Sequence, residues 1–270
     1  VQTETSSPAR GRSFRIPRQG AGTVVLIGAP NSGRSRIVAE LTNAEPEVAV
    51  YPFTTREPFP AMMPCEGALV QLIDTPPVAD GHVEPYLVNY VRSADLVLLC
   101  VDGSSDDAPE ETLGVLRQFE MRKTLLSDST GFDEEDFSTL HVRTLLAVTR
   151  GEDPDSAMRI EFLRESLPRE LPTLAVELSE EASCEALRKR IFAELGVIRV
   201  FTKAPGQPAE FVDPFTVPRG GTVEDLALCV HRERAEKLKF ARVWGEDVHD
   251  GQSVGRDHVL SEGDMVELHT

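Results

Sequence analysis

The chain has 270 residues, a formal net charge of −17, 40% hydrophobic and 27% charged residues, which is long enough for two domains and ordinary for a water-soluble fold. The acidic balance excludes a wholesale nucleic-acid coat, because duplex binding rests on a basic face that neutralises phosphates. Cys65, Cys100, Cys184 and Cys229 form no C-x-x-C pair and read as buried thiols. With no run as long as a membrane span and no apolar signal-peptide core, they predict a cytoplasmic protein without membrane contact.

Residues 1–21 carry Arg10, Arg12, Arg15 and Arg18 against Glu4 alone and show no periodicity. They read as a basic flexible tail, either a solvated linker or an RNA contact. Thr23 to Ile27 is a β-branched, apolar run expected of a strand covered on both faces. Next comes Gly28-Ala29-Pro30-Asn31-Ser32-Gly33-Arg34-Ser35, and then Ile37, Val38 and Leu41 at helical spacing. A strand, a G-x-x-x-x-G-basic-Ser loop and a helix make backbone N–H groups converge on a phosphate, with the serine hydroxyl on a magnesium ion. Gly28, Pro30, Asn31, Ser32, Gly33, Arg34 and Ser35 are the candidate phosphate-binding set; the bland alternative is a glycine turn without a ligand. Arg34 stands where such loops have lysine. It keeps the charge but replaces a compact ammonium by a planar fork.

Further along lie the stations at which a guanine-nucleotide switch protein keeps its chemistry. In Tyr51-Pro52-Phe53-Thr54-Thr55, the hydroxyl of Thr55, nearer the following strand, would complete a magnesium shell and read the third phosphate. The alternative is a threonine pair that merely favours extended structure. Ala68 to Ile73 reads as a buried strand ending at Asp74-Thr75-Pro76-Pro77, whose Asp74 carboxylate would hold a magnesium-bound water. Pro77 stands where a glycine N–H would meet the phosphate and has none to give. Val78 occupies the place of a water-orienting glutamine and cannot orient water, so hydrolysis should be slow. Asn31 at that place of the loop resembles the asparagine of potassium-stimulated GTPases, which implies a role in holding a potassium ion; the alternative is simply a good turn residue.

Leu96 to Val101, Leu145 to Val148 and Thr173 to Val176 read as strands, with amphipathic helices over Glu110 to Lys123, Pro154 to Leu167 and Ser183 to Leu195. Ser127 to Ser138 is acidic and reads as a solvated loop. Thr149-Arg150-Gly151-Glu152 follows the Leu145 strand. There Thr149, Arg150 and Glu152 would read guanine, Glu152 accepting both N–H donors and Arg150 stacking on the base, with Ser179 backing it from the next loop. Alternating strands and helices predict a mainly parallel sheet with helices on both faces, the ligand lying beyond the carboxyl ends of the strands.

After Gly196 the texture changes to short strands around one helix from Thr222 to His231, a small α+β unit. Val223, Leu226, Ala227 and Val230 make one apolar face. Trp244 and His258 are core or site residues. The cluster Arg232, Arg234, Lys237, Lys239 and Arg242 is an RNA contact or a solvated helix end.

The Tyr51 to Thr55 signature, Val200-Phe201-Thr202-Lys203-Ala204-Pro205-Gly206, Gly221-Thr222-Val223-Glu224-Asp225, Phe240-Ala241-Arg242-Val243-Trp244-Gly245 and Val254-Gly255-Arg256-Asp257-His258 resemble the Obg and developmentally regulated (DRG) GTP-binding proteins and their C-terminal TGS domain. The resemblance implies an α/β P-loop GTPase domain over residues 22–196 and a β-grasp TGS domain over residues 197–270. It implies GTP or GDP with Mg2+ as ligands, and ribosome or RNA as a partner of the TGS domain. Arg34, Thr55 and Asp74 become the catalytic set and Ser35, Thr55 and Asp74 the metal set. The expected function is a GTP-binding switch with slow hydrolysis; the alternative is a non-hydrolysing nucleotide-binding adaptor. The domain that DRG proteins insert after the second switch has no counterpart here.

Overall fold

The computed structural model describes residues 16–42, 57–78 and 83–270. Tyr51 to Thr55, and with them the Thr55 assignment, lie outside the described residues.

The first half is built on β1 (Thr23–Gly28), every residue of which is buried. Alternation sends Val24 and Leu26 into one core and Val25 and Ile27 into another, so this strand needs apolar residues throughout. Each such side chain contributes roughly 1.5–3 kcal/mol of transfer free energy. Loop and helix α1 (Arg34–Leu41) follow, with Ile37, Val38 and Leu41 on the Leu26 side. Strands β2 (Phe59–Cys65) and β3 (Ala68–Asp74) form an antiparallel hairpin, helix α2 (Pro85–Ser93) covers the Val25 side, and β4 (Leu96–Asp102) returns to the sheet centre. Helix α3 (Ala108–Glu120), β5 (Thr124–Ser127), β6 (Gly131–Phe132), β7 (Leu140–Thr149), α4 (Ser156–Ser166), β8 (Thr173–Val176) and α5 (Glu181–Glu194) complete the unit. Among the described residues the sheet runs β2-β3-β1-β4-β7-β5, with β8 and β6 also on β7. It is parallel except at β2 and β6. The expected α/β architecture is therefore observed, with α1 and α5 on one face and α2, α3 and α4 on the other.

Three expectations are corrected. Residues 16–21 are not part of a loose tail: Ala21 N donates to Leu69 O at 2.7 Å, Gln71 Nε2 to Pro17 O at 3.0 Å, and Arg18 pairs with Asp95. The acidic segment 127–138 is not merely a solvated loop, since it contains β6 and its carboxylates hold their own backbone. Asp133 Oδ1 accepts from the N–H groups of Glu135 and Asp136 at 2.9 Å each, and Lys123 Nζ reaches Asp136 Oδ2 at 2.8 Å. Cys229 is exposed rather than buried, with its Sγ at the domain surface reaching Thr216 O at 3.9 Å.

Gly196 separates α5 from β9 (Val197–Lys203), which opens a second sheet. Strand β10 (Phe215–Pro218), helices α6 (Val223–Val230) and α7 (Arg232–Lys237), and strands β11 (Phe240–Trp244), β12 (Gln252–Val254) and β13 (Met265–His269) follow. Their order is β10-β9-β13-β11-β12, with β9 parallel to β13 and the rest antiparallel. Helix α6 starts at a capping box, Thr222 with Asp225, and lays Val223, Leu226 and Ala227 on Val200, Val217 and Val243. Trp244 is half-buried and carries the Lys203 ammonium 4.2 Å from its ring centroid, while that ammonium pairs with buried Glu267 at 2.8 Å. The two units meet through Arg199, whose guanidinium reaches Glu66 Oε2 at 2.7 Å and Glu262 Oε1 at 2.6 Å. No helix among the described residues is long and apolar enough to cross a membrane.

Candidate nucleotide site

The register Leu26↔Asp74 between β1 and β3, and Gly28↔Cys100 between β1 and β4, aligns three strand ends around the loop 28–35. Two glycines there are required by contact. A Cβ on Gly28 would stand 2.6 Å from Cys100 O, and one on Gly33, whose φ is +85°, would stand 2.7 Å from Thr149 Cγ2. Asn31 takes φ +64°, a conformation asparagine tolerates, and Pro30 and Asn31 are exposed at the loop crest. Helix α1 begins without a side-chain cap, so its first N–H groups are open to an acceptor.

Of the four buried side-chain polar atoms without a hydrogen-bond partner among the described residues, three belong here: Ser32 Oγ, Arg34 Nε and Asp74 Oδ1. Such atoms are costly, at about 1–3 kcal/mol each, and a phosphorylated ligand with a hard cation would satisfy them. Ser35 Oγ donates to Asp74 Oδ2 at 2.6 Å. A hydroxyl beside a carboxylate with a spare oxygen is a donor set that suits Mg2+ and its retained waters. Burial pushes the Asp74 carboxyl above its ordinary value, with the Ser35 hydrogen bond and the Arg34 charge opposing it.

Arg34 is only 8% exposed and turns its Nη1 to the carbonyl of Thr75 at 2.8 Å. Burial lowers its pKa, the Asp74 charge works the other way, and an arginine stays protonated throughout. Thr75 is itself clamped, its Oγ1 donating to Leu26 O at 2.6 Å. The Val78 N–H donates to Gly28 O at 3.0 Å, and the Val78 side chain is 3% exposed, packed in the core beneath α2. This valine does not face the site at all.

On the base side, Thr149 is buried and its Oγ1 is shared between Ser32 O and Val101 O, both at 3.2 Å. It ties the phosphate loop to β7 instead of opening toward a base. Arg150, at φ +53°, pairs with Asp102 and reaches Asn31 O at 3.4 Å. Glu152 is exposed and hydrogen-bonds the Glu177 carboxylate, which raises the pKa of Glu152 and, with Ser179, holds Glu177 down to about 2. Ser179 donates through its hydroxyl and its N–H to Glu177. Thus Arg34, Ser35 and Asp74 come together at one pole, and Arg150, Glu152 and Ser179 at the other. Sequence reasoning missed Thr75, Asp102 and Glu177; the acid two residues before Ser179, at the end of a strand, was the available signal. Among the described residues no cluster of three or more His, Cys, Asp or Glu forms a protein-only metal cage.

Two families match this chain: the family described as 50S ribosome-binding GTPase over residues 23–129 and the TGS domain over residues 198–270. The fold and the loop define a P-loop GTPase domain joined to a C-terminal TGS domain. Within that class the chain is similar to proteins named developmentally-regulated GTP-binding proteins. An uncharacterised GTP-binding protein of Methanocaldococcus jannaschii is 26% identical over 313 residues, covering 95% of this chain and 80% of the relative. Developmentally-regulated G-protein 1 of Arabidopsis thaliana is 24% identical over 328 residues, covering 99% and 82%. Both alignments are longer than 270 residues, so the relatives carry insertions that this chain lacks. The Schizosaccharomyces pombe YchF GTPase shares the fold at a TM-score of 0.61 and 11% identity, over 96% of this chain and all of that one. Guanine-nucleotide binding is what the GTPase family implies.

Proposed function

We propose that this chain is a cytoplasmic GTP-binding switch with slow, Mg2+-dependent hydrolysis, whose TGS domain engages ribosome or RNA. The observation that carries the reading is the set of buried, unpartnered polar atoms Ser32 Oγ, Arg34 Nε and Asp74 Oδ1 around one loop. In this reading the open N–H groups of Gly33 to Ser35 bind the phosphates and Arg34 offsets their charge. Ser35 and Asp74, joined by Thr55, hold the magnesium ion, which supplies charge neutralisation at the phosphates. Glu152 accepts the guanine donors, Arg150 stacks on the base, and Ser179 orients Glu177 beside it. Asn31 is the residue through which K+ would act.

Slowness follows from Val78, which packs in the core and leaves no side chain from that position to orient water, and from Pro77, which offers no N–H. The partner assignment is supported by the ribosome-binding description of the matching family and by Arg232, Lys237, Lys239 and Arg242, all exposed around α7 and β11. The burial of Val78 also favours a second reading, a nucleotide-binding adaptor that does not hydrolyse GTP.

Single-turnover phosphate release from GTP, in sodium and in potassium buffers with Mg2+, separates the two. Slow release, faster in potassium, is expected; tight binding with no release in either buffer leaves the adaptor.

A further inference from the structure

We propose that Arg34 is the residue that couples the phosphate site to the segment Asp74–Val78: one edge of its guanidinium stays on the Thr75 carbonyl while its Nε edge takes a nucleotide phosphate oxygen. The proposal rests on the nucleotide-binding reading above and assigns Arg34 a positioning role beyond charge.

Three observations lead to it. The Nη1 bond to Thr75 O at 2.8 Å is made from a side chain that is more than nine-tenths buried, and Nε of the same side chain is buried without a partner. A guanidinium carries five N–H donors fixed in a plane, so two edges can serve two acceptors at once; an ammonium on a flexible stem is a point donor. The vacant donor is therefore the edge that an anionic oxygen would complete, and completing it removes the cost of a buried unpaired group.

The other direct routes from a phosphate to this segment are largely taken, the Thr75 N–H lying against the Asp74 carboxylate. Pro76 and Pro77 have no N–H, and the N–H of Val78 is spent on Gly28 O at 3.0 Å. The Thr75 hydroxyl is spent on Leu26 O at 2.6 Å. Asp74 points to the metal side through Ser35. A switch of this kind normally senses the phosphate by a backbone N–H of the segment itself; here the arginine of the loop reaches out to the segment instead. The exchange of lysine for Arg34 and the proline at position 77 then become one device. Arg34 compensates for the donor that Pro77 removed, and the strength of its hold on Thr75 changes with the phosphate on its other edge.

The test is amide hydrogen exchange over peptides from Asp74 to Ser93 of the full chain, with Mg2+ and either GDP or a non-hydrolysable GTP analogue, alongside calorimetric affinities. In the wild-type protein the analogue slows exchange at Thr75, Val78 and the first turn of α2 by about tenfold relative to GDP. Arg34→Lys, measured at nucleotide concentrations that saturate it, shows an exchange difference between the two nucleotides that shrinks to within about twofold. An Arg34→Lys protein that keeps the full difference overturns the proposal. A wild-type protein that binds both nucleotides without any difference overturns it too, and leaves the binding reading standing; no binding of either nucleotide overturns both. Should Arg34→Lys fail to fold, the wild-type Arg34 Nε–H nuclear magnetic resonance signal decides. A shift and slower exchange on adding the analogue supports the bridge, and an unchanged signal contradicts it.

Discussion

Thr149 Oγ1 and Ser32 O stand 3.2 Å apart across 117 residues of sequence, so the end of β7 holds the phosphate loop at Ser32. Replacing Thr149 by Val keeps the shape and removes the hydroxyl. The expected cost is about 1 kcal/mol of stability, a fall of roughly 2–4 °C in Tm for a protein of this size. GTP affinity should drop further, by about fivefold to tenfold, because the loop rather than the core loses its support. Thermal denaturation beside calorimetric titration checks the pair. A change in Tm with unaltered affinity would place the tether outside the binding machinery.

Glu152 and Glu177 titrate as a pair. Their mutual hydrogen bond raises Glu152 above the ordinary carboxylate value, and Glu177 is held down to about 2. In the proposed reading guanine recognition needs Glu152 ionised, since the base's N–H donors require an acceptor. That form is present above the raised pKa and is lost as pH falls through it, so GTP affinity should decline on acidification at a higher pH than an isolated glutamate would give. Each unit below that point costs about tenfold. Glu177→Gln removes the neighbouring charge and should move the decline to lower pH. Dissociation constants from about pH 4.5 to about pH 7.5 report it, and an unmoved profile contradicts the pairing.

Val78→Gln puts an amide into the core beneath α2, where Val78 is 3% exposed. A loss of about 1–3 kcal/mol in stability is expected, with no gain in phosphate release. A rise of tenfold or so in turnover would show that this position faces the nucleotide in the working state.

Asp74→Asn should separate stability from metal use. The buried carboxylate pays desolvation, its pKa is raised in the fold, and so its ionised form weakens the nucleotide-free protein above the ordinary carboxylate pKa. At neutral pH the asparagine variant should be as stable as wild type or more so, by up to about 1 kcal/mol. Removing Mg2+ with a chelator should weaken GTP binding to wild type by about tenfold or more, and to the variant by no more than about twofold. Equal metal dependence in both proteins would rule out Asp74 as part of the metal site.

The strands that sequence patterning revealed best are β1 and β4, because burial on both faces leaves them nearly unbroken apolar runs. Strand β2 was hidden by Pro60 and Pro64, which an edge strand tolerates and a central one would not. The loop 28–35 was legible as a motif, whereas Arg34 on Thr75 and Glu152 on Glu177 were not. Those contacts depend on parallel registers, Leu26↔Asp74 and Thr149↔Val176, that bring residues far apart in sequence to adjacent strand ends. The bonds of Thr149 were hidden for the same reason, since its burial is decided by β4 and the loop packed against it.

The most direct test of the account is a calorimetric titration of the full chain with GTP, GDP and ATP in the presence of Mg2+. One site per chain should take GTP and GDP, with ATP at least about a hundredfold weaker. No heat of binding with either guanine nucleotide, or equal affinity for ATP, would contradict the account at its centre.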